Sequence, residues 1–174
     1  MKQSVNPFDH AAHICNSLKK GILITTAAKD TVNTMTIGWG HIGIEWGKPI
    51  FVAYVRESRY TKALLEENGE FTINIPYGNY DASVLGYCGT KSGRDCDKIR
   101  DMNLTLEAPN KISVPGIREF PLTLECKVIY KQKQELMYLP EEVLSRYYPA
   151  DAEGFQDPHI AYYGEILDAY LIQP

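Results

Sequence analysis

Apolar positions along this chain fall in short runs parted by turn-forming residues, and the repeat within each run separates strands from helices. Phe8 to Leu18 has helical spacing, with Gly21 as its stop. Ile22 to Thr26 is a short apolar β-run, and Lys29-Asp30-Thr31-Val32-Asn33 reads as a hairpin turn. Met35 to Ile44 predicts a continuing strand interrupted by Gly38, Gly40 and Gly43. Glycines inside a strand mark a bulge or the close approach of a ligand or another backbone. Gly47-Lys48-Pro49 makes a turn, and Ile50 to Val55 is apolar on both faces, as a central strand requires. Ser58 then stands as the N-cap of a helix running to Glu67, stopped by Asn68-Gly69 before the strand Phe71 to Ile75.

Tyr80 to Tyr87 and Asp95 to Met102 predict two short helices around the polar loop 88–93. Ala108 to Pro121 is a proline-containing connection with one short strand. Leu122 to Lys131 alternates, with Leu122, Leu124, Cys126, Val128 and Tyr130 on one face. Met137 to Leu139 reads as a short strand, Glu141 to Tyr147 as a short helix and Ala150 to Pro158 as a polar loop. Ile160 to Ile172 reads as a long closing strand. Short strands with helices between them make a mainly β domain with inserted helices, a barrel that protects its edges by closing on itself. No repeat, low-complexity tract or linker divides it, so residues 1–174 read as one domain.

Composition narrows the function. A net charge of −4 with no basic block argues against a nucleic-acid platform. No apolar run is long enough to span a bilayer, and the polar N-terminus lacks the apolar stretch of a signal peptide. A cytoplasmic protein is the expectation. Cys15, Cys88, Cys96 and Cys126 form no C-x-x-C pair, and in a reducing compartment they read as free thiols. His10 and His13 lie three apart on the first helix but lack further ligands in pattern, so no metal site is expected.

The candidate chemistry concentrates in Arg56-Glu57-Ser58-Arg59-Tyr60-Thr61. Two guanidinium groups and two hydroxyls at the junction of a strand and a helix suit a phosphate dianion, which is held by convergent donors and positive charge. The same residues also suit a solvated turn in which Ser58 only caps the helix. Upstream, Asn33, Thr34, Met35, Thr36, Ile37, Gly38, Trp39 and Gly40 are small, polar and aromatic by turns, as backbone lying against a flat ring requires. A glycine-bulged strand with a buried Trp39 fits that run equally. Ser92, Gly93 and Lys98 belong to a charged segment that reads either as a cap over a ligand or as a solvated helix start. His159 opens the last strand, where a pocket mouth or a plain hydrogen-bonded histidine both fit. A phosphorylated planar ligand joins the first two runs, and FMN leads the candidates.

These segments together resemble the flavin reductase-like, FMN-binding split-barrel family, in particular its flavoredoxin-like branch. The matching pieces run in order: Asn33 to Thr36 with Trp39-Gly40, Trp46 to Pro49, Val55 to Thr61, Gly69 to Asn74, Ser92 to Lys98, Leu124 to Cys126, and His159 with Gly164-Glu165-Ile166. The resemblance implies a six-stranded Greek-key split β-barrel, a homodimer, and FMN near the dimer interface. It implies phosphate at Arg56, Ser58, Arg59 and Thr61, isoalloxazine against the backbone of Thr34 to Gly38, and the Ser92 to Lys98 segment nearby. His159 matches a histidine that in some reductases lies by the nicotinamide and is the one candidate for a direct part in the reaction. Pro158 stands where those reductases often carry Asp, which bears on NAD(P)H use more than on FMN. Two functions follow: an NAD(P)H-dependent flavin or ferric reductase, or an electron carrier between protein partners.

Overall fold

In the computed structural model, which describes residues 1–173, the chain begins with β1 (Lys2–Ser4), a 3-10 turn (Pro7–His10) and α1 (Ala11–Leu18). There follow β2 (Ile22–Ala28), β3 (Thr31–Ile37), β4 (Gly40–Glu45), β5 (Lys48–Arg56), α2 (Tyr60–Asn68) and β6 (Glu70–Ile75). Next come α3 (Ala82–Thr90), α4 (Lys98–Asp101), β7 (Leu106–Glu107), β8 (Gly116–Ile117) and β9 (Leu122–Lys133). A 3-10 turn (Leu136–Tyr138), α5 (Glu141–Tyr147) and β10 (His159–Ile172) complete the chain.

The main sheet is antiparallel throughout, in the order β3-β2-β6-β9-β10-β5-β4, with β1 added to β10. The residues explain the order. β2 is buried along its whole length and so lies between two neighbours. β10 is long enough to span both β9 and β5, and it bends at two bulges to do so. At the first of these, Gly164 meets the ring of Phe71: a Cβ there would stand 2.4 Å from Phe71 Cζ and 2.9 Å from Cys126 Cβ. The main core fills the barrel interior with Phe51, Phe71, Ile73, Leu124 and Tyr162. A smaller cluster packs α3 against β2 through Leu23, Leu85 and Cys88. No helix of the described residues is long and apolar enough to cross a membrane.

The architecture is a split barrel, mainly β with inserted helices. It departs from the sequence expectations in five places. The sheet has eight strands rather than six, because β1 joins it and the run Met35 to Ile44 is two strands, parted at Gly38-Trp39. The ladder does not close: β3 and β4 are the two ends of the strand order. Arg59 rather than Ser58 occupies the N-cap of α2, with no side-chain cap bond. The expected helix from Asp95 starts only at Lys98, where Asp97 is the N-cap and its carboxylate accepts from Arg100 N–H. The expected strand at Met137 is a 3-10 turn: Leu139 N–H bonds back to Leu136 C=O, and no neighbouring strand is there to pair with it.

Candidate functional site

A cavity of about 190 Å³ lies at the end of β3, where the chain crosses toward β4. One wall is the end of β3 and the crossing chain, Met35 to Trp39. The facing wall is Tyr54 and Arg56 of β5 and His159, the first residue of β10, which stands opposite Arg56 in the strand register. Arg59 and Gly89 line the remaining sides. A second cavity of about 420 Å³ lies beyond Trp39 and shares Gly38, Trp39 and Tyr54 with the first. Small-molecule sites usually exceed about 300 Å³, so the smaller cavity is one part of a site rather than a whole one.

The turn from Arg56 to Arg59 is the polar end of the cavity. The Arg56 guanidinium donates to Asp157 C=O at 2.8 Å and to Tyr147 C=O at 2.7 Å, and lies over the Tyr148 ring. Glu57 N–H donates to Pro158 C=O at 2.9 Å. Ser58 donates twice to the Asp157 carboxylate, from its N–H at 3.0 Å and its hydroxyl at 2.6 Å. From the other side Arg94 donates to Ser58 C=O at 3.1 Å and lies over the Tyr60 ring. Arg59 lines the cavity, and no ion pair of the described residues engages it.

Other expected site residues are internal. Thr61 is fully buried, accepting from Asn33 Nδ2 at 3.0 Å with its hydroxyl 3.6 Å from Met35 Sδ. It ties α2 to β3 and does not face the cavity. Thr34 is also buried, donating to Ile24 C=O, whereas Thr36 lines the cavity and donates to Leu85 C=O at 2.7 Å. Gly93 lies on Asn33 and Tyr60 so closely that a Cβ would fall 2.1 Å from Asn33 Oδ1. Ser92 caps no helix; its hydroxyl accepts from Arg94 N–H. Lys98 is buried behind β3, its ammonium donating to Thr34 C=O at 3.1 Å and Cys88 C=O at 2.9 Å. Burial pushes its pKa down, and burial pushes the Cys88 thiol up to about 11, so that thiol is unreactive at neutral pH. All four cysteines are free.

His159 is buried at the cavity's edge, its ring 4.7 Å from Trp39, with Tyr54 and Tyr148 edge-on to it. Its Nδ1 is 2.8 Å from the Tyr148 hydroxyl, which lies 2.7 Å from Gln134 Oε1. With the single Tyr148 hydrogen given to Gln134, His159 carries its proton on Nδ1 and presents an unprotonated Nε2. Burial, followed by the Arg56 charge, lowers its pKa to about 4. Tyr54, Tyr148 and Gln134 carry no signal in the sequence, Arg94 enters only as part of the charged segment before Lys98, and Asp157 only as part of the polar loop Ala150 to Pro158. Asp157 was findable from one signal: the strand it precedes must pair with β5 for the barrel to form.

A family model described as the flavin reductase like domain matches residues 16–173. The chain belongs to that family. Flavoredoxin of Desulfovibrio vulgaris is similar in structure, with 26% identity over 88% of this chain and 69% of that one, at a TM-score of 0.67. An FMN-binding domain of a flavin reductases-like enzyme from Shewanella baltica shares the fold at 16% identity, covering 98% and 77% of the two chains with a TM-score of 0.66. An uncharacterized protein of Archaeoglobus fulgidus is 33% identical over 97 residues, 56% of this chain and 54% of that protein. The chain thus matches about half the length of this curated relative.

The lowered His159 pKa has a consequence for stability. The unfolded chain takes up a proton near pH 6.5 that the folded protein refuses until about pH 4. Stability from this group is therefore complete above pH 6.5 and lost as pH falls toward 4, by at most about 3 kcal/mol. His159→Gln should flatten the dependence of unfolding free energy on pH across that window by up to one proton. Urea unfolding at a series of pH values checks this, and equal slopes for parent and variant would refute the buried neutral imidazole.

Proposed function

We propose that the protein is an FMN-binding oxidoreductase that receives hydride from NAD(P)H. The observation that carries this is the anion-accepting turn at the split of the barrel. There Ser58 already holds a carboxylate on two converging donors, and Arg59 faces the cavity with no ion-pair partner among the described residues. That donor set fits a phosphate. Support also comes from the family membership and from the FMN-binding relative of the same fold. Ser58, Arg59 and the start of α2 would hold the phosphate, and Met35 to Trp39 the ring system. Arg56, with two of its N–H groups on carbonyls, would act mainly through charge, and Lys98 would add charge from behind β3. When bound, FMN supplies hydride and electron transfer. The chain's own part is to bind, orient and exclude water, with Trp39 as the wall between the cavities.

Arg59→Ala should weaken FMN roughly 10- to 100-fold, as loss of a charge-assisted hydrogen bond predicts, and leave riboflavin within about twofold. Fluorescence titration of the flavin-free protein with both ligands checks this. Equal losses for the two would remove the phosphate from this turn.

A second reading, an electron carrier between protein partners, is favoured by the enclosure of His159. Trp39, Tyr54 and Tyr148 surround its ring, which leaves little face for a nicotinamide. The likeness to flavoredoxin supports it too. Anaerobic stopped-flow reduction of the FMN-loaded protein by NADH and NADPH separates the two. Reduction within seconds by either supports the reductase, and none by both assigns the carrier.

We infer a homodimer in both readings. Trp46, Tyr130 and Tyr163 form an aromatic cluster in which Tyr163 packs on the buried Ile50, Val52 and Ala161, and Trp46, Tyr130, Ile44 and Ile129 are exposed. Adjoining apolar surface of this kind marks an interface, and two-fold pairing is its commonest use. Light scattering should give twice the 19.7 kDa chain mass at micromolar concentration, and the mass of one chain would refute it. The free thiols suit a reducing compartment such as the cytoplasm.

A further inference from the structure

Asp157 sits on the donors of the very turn assigned to phosphate. Its carboxylate accepts from Ser58 N–H at 3.0 Å and from the Ser58 hydroxyl at 2.6 Å. No hydrogen bond joins that carboxylate to the nearby guanidinium groups: Arg56 donates to the backbone carbonyls of Tyr147 and Asp157, and Arg94 to the carbonyl of Ser58. The segment is therefore fastened twice. Arg56, with Glu57 N–H on Pro158 C=O, holds its backbone, and Ser58 holds the Asp157 side chain. The second fastening can open alone, because Asp157 is only half-buried and its side chain can rotate into solvent while the backbone clamp stays shut.

We propose that Asp157 is an internal anion that fills the phosphate cradle of the flavin-free protein and is displaced by a phosphate dianion. This deepens the reading that the turn binds the FMN phosphate and rests on it. One carboxylate and one phosphate cannot share the two Ser58 donors, so phosphate entry and the Asp157 contact exclude each other. A dianion with three acceptor oxygens gains more from Ser58, Arg59 and the start of α2 than the monoanionic carboxylate does. Neutral flavins leave Asp157 in place, and weakly binding monoanions fail to dislodge it. The clamped segment leads directly into His159, so occupancy of the cradle frees the side chain two residues before the group nearest the ring-binding wall.

The test compares the parent with Asp157→Ala, and with Asp157→Asn as a variant of the same shape. If most flavin-free molecules are closed by Asp157, the apparent FMN affinity is reduced by the open fraction. Asp157→Ala should then bind FMN about three- to tenfold more tightly, with riboflavin within about twofold. A second readout needs no flavin. Exchange of the Ser58 amide hydrogen, followed by NMR, should be at least about tenfold faster in the variant and return to the parent rate when FMN is added. FMN affinity unchanged or weakened in both variants overturns the proposal, as does a Ser58 exchange rate that ignores them. A parent that binds FMN and riboflavin equally overturns the phosphate reading itself. A parent selective for FMN with unmoved variants overturns only the role of Asp157.

Discussion

The fold turns on a pairing that is not made. Strands consecutive in sequence usually pair as neighbours, but β3 and β4, parted only by Gly38-Trp39, are the two ends of the strand order. β3 keeps β2 on one side and β4 keeps β5, so each presents one unpaired edge. Such an edge must be covered or satisfied. Here Lys98 bonds Thr34 C=O, Thr36 is tied to α3 through Leu85 C=O, and α3 and α4 lie against β3. What remains open between the two edges is the cavity. Its position follows from the topology, and its chemistry comes from the ends of strands β3, β5 and β10, which that topology brings together.

The same split gathers positive charge. Of the ion pairs of the described residues, Lys133–Glu57 engages the turn itself, while Lys29–Glu67, Lys48–Glu165, Arg100–Asp101, Arg118–Glu107 and Lys131–Glu66 involve none of Arg56, Arg59 or Lys98. Arg56 and Lys98 each donate two hydrogen bonds to carbonyl oxygens, which hold the cations in place without neutralising them. Keeping a buried ammonium uncompensated is costly, as the depressed Lys98 pKa reflects. A bound anion offsets that cost. The nearby imidazole is held neutral at the same edge, so it adds no charge of its own.

Much of this was legible from residues in order. The apolar run Ile50 to Val55 is a central strand, Gly69 ends α2 in the left-handed conformation, and the alternation from Leu122 sets β9. Arg56 and Arg59, the two ends of the turn that the composition marks, line the cavity. What could not be read was direction. Ser58 and Thr61 have the same chemistry in the sequence, yet one faces the turn and the other the core, a difference set by which side of α2 packs on β3. Asp157 stands in the polar loop Ala150 to Pro158, and its contact with Ser58 emerges only once β10 is put in register with β5, a pairing across a hundred residues. The sheet exceeds the six strands that the resemblance implies for two reasons: β1 adds to β10, and the glycine-rich run Met35 to Ile44 is two strands where the chain crosses from one edge to the other.

We propose that the split of the barrel is a phosphate-anchored flavin site. Phosphorus NMR of FMN on the protein tests it directly, because a free phosphate monoester takes up its second proton near pH 6. Held by Arg59, Ser58 and the start of α2, the phosphate should give a shifted resonance that stays dianionic and constant from about pH 5 to pH 8. A bound flavin whose phosphorus resonance titrates as it does in free solution would place the phosphate in water and contradict the account.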